Sequence, residues 1–478
     1  MTLALVEQVN TGQQTAAEII QTHLDRASKD SLNAFIALNP NALEQAKTVD
    51  ARVKAGQQLP LAGYPLAVKD NIVMQGIQAT AGSKILDGFV SPYTSTALQR
   101  LLDAGAVVIG KANMDEFGMG SSGENSAYGA TKNPRDPSKV PGGSSSGSAA
   151  AVASGLVSGA LGTDTGGSIR LPAAFCGCLG MKPTYGRISR YGVIAYASSL
   201  DQVGPLARSS AELAVLLELM CGYDPMDSTS LQAPHEFKSA LSQDIRGLKI
   251  GLVQESMSSG NSAGVAGAIE AAVVALEALG ATVTEVSLPS LENALAAYYL
   301  IACPEASSNL ARYDGMIYSH RSAGEDLNTV IAKSRGEGFG AEVKRRILMG
   351  TYALASGYYD AYYSKALRAR AMIAQQFAAA FAGVDVLLLP TAPSPAFDLG
   401  AKANPLEMYL TDVDTVAVNL AGLPAISVPF GFEQNGKYSS SGGLPVGIQL
   451  IAPILEDARL ISLSAALERH TNAAFLAV

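Results

Sequence analysis

Cysteine and histidine are both scarce in this chain, and each scarcity excludes something. Among 478 residues there are four cysteines, Cys176, Cys178, Cys221 and Cys303. That is too few for a disulfide framework, and a reduced, cytoplasmic setting fits best. A cationic excess is missing too. The formal net charge is −8, which argues against a protein that grips nucleic acid over its whole surface. No apolar stretch of about 18 residues runs without polar interruption. The most apolar segment, FAAAFAGVDVLLLP, is broken by Asp385, so no membrane span is expected. The start, MTLALVEQVNTGQQ, has no basic segment and no sustained apolar run, and does not read as a signal peptide.

Apolar residues are plentiful. They make up 48% of the chain against 16% charged, so a large core is expected and disorder is not. The length allows about two or three domains, or one large α/β unit. Apolar, β-branched runs at 64–70, 106–111, 249–253, 282–286, 385–390, 425–429 and 445–452 read as strands. Helical spacing occurs at 14–28, with Thr15 as N-cap, and at 41–56 and 94–104. An Ala/Ser-rich helix follows Ser144. Long helices are expected near 263–279, 291–313, 341–382 and 456–470. Such alternation predicts an α/β fold with a sheet covered on both faces. Two polar stretches, 223–247 and 315–340, read as connectors or an inserted lobe.

The chemistry concentrates in PGGSSSGSAAAVASGLVSGALGTDTGGSIRLP, from 141 to 172. A serine nucleophile needs a base, most often histidine. The four histidines, His23, His235, His320 and His470, all lie in polar contexts expected to be exposed, and none falls between 23 and 235. The string Gly143–Gly147 matches G-x-S-x-G literally but follows a polar loop where an apolar strand should precede it. Lys69 is another base. It ends the strand YPLAVKD, where burial would make it neutral, unless it snorkels to water. In GTDTGGSIRLP, consecutive glycines let backbone N–H groups converge as an oxyanion hole requires. Ser168 would then sit at a helix start, either as a nucleophile or as a plain N-cap. GAVVIGKA (105–112) approaches a phosphate loop, but Ala112 replaces the metal-binding hydroxyl and the strand lies inside the motif. Cys176 and Cys178 have no further ligands nearby and read as buried thiols.

Three separated segments, AVKDNI around Lys69, GGSSSGSAAAVASG (142–155) and TDTGGSIRLPAAFCGCLGMKPTYGRIS (163–189), resemble the amidase signature family in order and in spacing. The resemblance implies a single domain over 1–478 with a central mixed, twisted β-sheet between helices. Its catalytic core would span about 60–210 and an inserted or peripheral helical lobe about 223–380. It implies a Ser-cisSer-Lys triad with Ser168 as nucleophile, Ser144 as the bridging serine in a cis peptide, and Lys69 as base. The N–H groups of Thr165, Gly166, Gly167 and Ser168 would form the oxyanion hole. Histidine is then unnecessary. Position 146 is Ser where relatives often carry Gly, which places another hydroxyl near the relay.

Within the family, strings such as LAGYPLAVKDNI, KANMDEFGMGSSGENSAYGATKNP, YGRISRYGVIAYASSLDQVGP, EVKRRI and NLAGLPAISVP are similar to the glutaminase subunits of tRNA-dependent amidotransferases. That resemblance implies hydrolysis of L-glutamine to glutamate and ammonia. A transamidating partner subunit would use the ammonia, with ATP and Mg²⁺, on Glu-tRNA(Gln) or Asp-tRNA(Asn). A small third subunit would bridge the two and complete a heterotrimer. This chain itself would need no cofactor and no metal. It also implies Arg346 for the glutamine α-carboxylate and Asp412 for the α-ammonium, with Tyr299 and Thr165 lining the pocket. Arg345, Tyr298 and Asp414 adjoin these positions, and an arginine pair on a helix is ordinarily a solvated face. The competing expectations are a stand-alone amidase for neutral amides and a non-catalytic scaffold.

Overall fold

The apolar runs pair into one sheet. The computed structural model describes residues 2–257, 260–318 and 320–471. Its strands are β1 Phe35–Leu38, β2 Pro65–Lys69, β3 Val107–Ala112, β4 Gly159–Asp164, β5 Leu179–Lys182 and β6 Gln202–Ala207. The second half adds β7 Lys249–Val253, β8 Thr282–Val286, β9 Val386–Pro390, β10 Ala425–Gln434, β11 Lys437–Ser439 and β12 Leu444–Ile451. Their order is β1-β3-β2-β4-β6-β5-β10-β12-β9-β7-β8, with β11 on β10. The sheet is mixed. β3, β2 and β4 run parallel, as do β9, β7 and β8, and the strands between them are antiparallel.

Every residue of β2, β3 and β9 is buried, as expected of apolar strands covered on two faces. β4, GALGTD, is equally buried but was not visible in the sequence, because it lacks a branched apolar run. Its small residues serve close approach. A Cβ on Gly159 would lie 2.6 Å from Tyr64 Oη, and one on Gly162 would lie 2.8 Å from Ser145 Oγ. The helix Ser146–Ala153 packs on this strand through its own small residues.

The helix Ala16–Ala27 has the expected cap. Glu18 N–H donates to Thr15 Oγ1 at 3.2 Å and Thr15 N–H to Glu18 Oε2 at 3.0 Å. Three expectations change. His23 is buried, with Nδ1 2.8 Å from the Leu156 carbonyl, because its ring lies on the inner face of that helix. The stretch 341–382 is two helices, Ala341–Leu354 and Lys365–Ala380, interrupted at Gly357, whose φ is +89°. The polar stretch 315–340 contains a helix, Leu327–Gly338, capped by Asp326 at the Thr329 N–H. The region 223–380 is also not wholly peripheral, since β7 and β8 extend the central sheet.

Candidate active site

β2 delivers Lys69 into the interior, where its side chain is fully buried. Nζ lies 2.7 Å from Ser144 Oγ and 3.2 Å from the Thr163 carbonyl. Burial pulls its pKa down to about 7, against the opposing charges of Asp115, Asp164 and Asp201. The lysine is therefore substantially neutral near pH 7, as a proton acceptor must be.

Ser144 sits where the Gly143–Ser144 peptide is cis, as expected. Asp115 frames it. The Asp115 N–H donates to the Ser144 carbonyl at 3.2 Å, and its carboxylate accepts from the N–H groups of Gly123 and Asn125. A Cβ on Gly143 would come within 1.8 Å of Asp115 Oδ2, so only glycine fits. Burial raises the Asp115 pKa to about 6. The hydroxyl of Ser146 faces away, 3.2 Å from Thr131 Oγ1.

The two Ser/Gly clusters meet. Ser145 N–H donates to the Ser168 carbonyl at 3.1 Å. Residues 165–168 form the loop between β4 and the helix Arg170–Cys176. Asp164 organises that loop. It accepts from the N–H groups of Gly167 at 2.8 Å and Ile169 at 3.2 Å, and pairs with Arg170 at 2.9 Å, both side chains being fully buried. Burial alone would raise the Asp164 pKa, but the Arg170 charge and its hydrogen bonds hold it well below the usual range. One expectation is corrected here: the Gly167 N–H is committed to Asp164 and is not free to meet an oxyanion. The N–H groups of Thr165, Gly166 and Ser168 take no partner among the described residues. Thr415 Oγ1 donates to the Gly166 carbonyl at 2.6 Å and fixes the loop from the far side.

A second polar centre adjoins the loop. Of the neighbouring arginines, Arg345 is 44% exposed in its side chain and Arg346 only 2%. Arg346 Nε donates to Glu342 Oε1 at 2.8 Å, and Nη1 donates to Tyr196 Oη at 2.9 Å. Nη2 makes no hydrogen bond among the described residues. The rings of Tyr299, Tyr409 and Tyr196 surround the guanidinium at 5.1, 5.3 and 5.7 Å. Tyr299 stacks on Tyr409, and its buried hydroxyl has no partner among the described residues. Tyr298 instead borders the loop, with Cζ 2.6 Å from where a Gly166 Cβ would be. Asp412 is buried, accepts from Ser121 Oγ at 2.5 Å, and has its pKa raised to about 7 by burial, with Arg346 opposing. Asp414 interacts with Ser256. The Thr165 hydroxyl donates to Asp201 Oδ1 at 2.7 Å.

The sequence did not mark Tyr196, Glu342, Tyr409, Ser121 or Asp201. Tyr409 Oη donates to Glu342 at 2.8 Å, so the arginine is held by groups far apart in the chain. The phosphate-loop lookalike is β3 itself. Its Lys111 is buried, 3.2 Å from Asp70 Oδ1 and bonded to the Ile72 carbonyl, so its ammonium is engaged inside the fold. Cys176 and Cys178 are buried thiols.

A family model described as Amidase matches residues 18–461. The A subunit of the glutamyl-tRNA(Gln) amidotransferase from Deinococcus radiodurans is 57% identical over 467 residues, covering 97% of this chain and 96% of that one. Its namesake from Thermus thermophilus is 52% identical, covering 98% and 96%. The crystal structure of the namesake from Thermotoga maritima is 38% identical, with a TM-score of 0.80 and coverage of 97% and 94%. A native peptide amidase from Stenotrophomonas maltophilia is 33% identical, with a TM-score of 0.82 and coverage of 99% and 97%.

Proposed function

The chain belongs to the amidase family, and from that membership we propose that it is the glutaminase subunit of a tRNA-dependent amidotransferase. The observation that carries the reading is a buried arginine, with one nitrogen unbonded among the described residues, and a buried aspartate within reach of its charge, near the Lys69–Ser144 pair and the loop that bears Ser168. An enzyme for neutral amides has no use for both charges. L-Glutamine has a carboxylate for Arg346 Nη2 and an ammonium for Asp412.

In this mechanism neutral Lys69 takes a proton from Ser144, which takes one from Ser168. Ser168 Oγ forms a bond to the side-chain carboxamide carbon. The developing oxyanion is met by the N–H groups of Thr165, Gly166 and Ser168. The relay returns a proton to the nitrogen, the C–N bond breaks, and ammonia leaves. Water, deprotonated by the same relay, then cleaves the glutamyl ester and frees glutamate and Ser168. The ammonia passes to the transamidating partner. There, with ATP and Mg²⁺, it converts Glu-tRNA(Gln) or Asp-tRNA(Asn) to the amide, and a small third subunit completes the heterotrimer in the cytoplasm.

The test is ammonia and glutamate release from L-glutamine beside a panel of neutral amides, in the presence of the partner subunits, with Ser168→Ala as blank. Serine-dependent hydrolysis that favours glutamine is expected. Equal turnover of neutral amides, with no gain from the charged groups, assigns a stand-alone amidase instead.

A further inference from the structure

Arg346 is buried, so its position decides whether a carboxylate can be read at all. A guanidinium has five N–H donors in a rigid plane. Here two of its three nitrogens are fixed, Nε by Glu342 and Nη1 by Tyr196 Oη, and Nη2 remains. Glu342 lies one turn earlier on the same helix, so that contact travels with the arginine. Tyr196 does not. It precedes β6, about 150 residues earlier in the chain. Its N–H donates to Asp201 Oδ2 at 2.9 Å, while Asp201 Oδ1 accepts from Thr165 Oγ1 at 2.7 Å. The chain of contacts therefore runs from the guanidinium through one tyrosine and one carboxylate into the oxyanion loop.

We propose that Tyr196 is the positioning residue that sets glutamine selectivity, holding Arg346 at a fixed distance and orientation from the oxyanion loop through Asp201. The inference rests on the glutamine reading above. The tyrosine hydroxyl orients the guanidinium so that Nη2 faces the α-carboxylate while the side-chain amide lies over Ser168. The ring also lies under the guanidinium. Removing only the hydroxyl therefore isolates the hydrogen bond from the packing. No other element supplies Nη1 with an acceptor among the described residues.

The test compares Tyr196→Phe, Arg346→Gln and the double variant in the assembled enzyme, on L-glutamine and on a neutral amide. Y196F is expected to raise the glutamine KM roughly ten-fold, with kcat and neutral-amide turnover nearly unchanged. R346Q is expected to raise the same KM roughly a hundred-fold. In the R346Q background Y196F should add less than about two-fold, because it acts through the arginine. An unchanged glutamine KM in Y196F, additive effects, or an equal loss on both substrates with a lowered Tm overturns the proposal. If R346Q itself leaves the glutamine KM unchanged, the glutamine reading fails, and that outcome is distinct from a failure of Tyr196 alone.

Discussion

At the scale of single residues, burial moves both Lys69 and Asp412 toward neutrality, and both bear on turnover. Lys69 is drawn down to about 7 by burial, and it accepts a proton only when neutral. Asp412 is raised to about 7 by burial, and it attracts an ammonium only when ionised. Both requirements are met above their pKa values, so kcat/KM for glutamine should climb as pH rises through about 7. A neutral amide needs only the lysine, so its acid limb should be shallower by one proton. Parallel pH profiles for the two substrates check this, and identical slopes would remove Asp412 from the ammonium site. The residues proposed for these roles were legible to different degrees. Lys69, Ser144 and Ser168 stand in strings that the family resemblance marks directly. Arg346 and Asp412 came from the resemblance alone, and the burial of one arginine against its exposed neighbour is a property of the helix's orientation. Tyr196, Glu342 and Tyr409 were illegible, because they meet at the guanidinium from three distant parts of the chain and no spacing rule joins them.

At the scale of elements, the longer apolar runs announced themselves as strands, whereas the four-residue β1, FIAL, and the small-residue β4 did not. β7 and β8 occupy the ranges read from the sequence, whereas β4, which leads into the 165–168 loop, is built largely from glycine, alanine and threonine. Its β character comes from tertiary packing, which overrides propensity. The same close packing governs the helix that bears Arg346. Ala341–Leu354 crosses Ala294–Asn309 at Gly350, where a Cβ would lie only 2.0 Å from the Cys303 carbonyl. Gly350→Ala must therefore move one helix off the other. Overpacking of this kind costs about 1–3 kcal/mol. Because the displaced helix carries Glu342 and Arg346, the glutamine KM should rise together with the loss in Tm, while a neutral amide is less affected. Denaturation and steady-state kinetics on the same preparation read both, and a destabilised variant with an unchanged glutamine KM would show that the arginine does not move with its helix.

At the scale of the whole molecule, one sheet binds distant parts of the chain together. β5, from the first half, pairs with β10, and β10 pairs with β12 near the end. Lys69 at the end of β2 and the 165–168 loop after β4 are thus carried by one frame, which suits a reaction that needs its groups held at fixed separation. Net charge bears on where the proposed assembly would hold tRNA. With 34 basic against 42 acidic residues, the chain has no overall excess of cations to neutralise phosphates. Binding of a polyanion depends on that neutralisation, and the chain's long-range field repels it at low salt. The isolated chain should therefore bind tRNA more weakly than about 10 μM at about 0.15 M salt. The complete assembly should bind far more tightly, through its other subunits. Fluorescence anisotropy of labelled tRNA, titrated with the chain alone and then with the assembly, measures the difference. Submicromolar binding by the chain alone, steeply weakened by salt, would mean that a local basic face does the work assigned here to the partner.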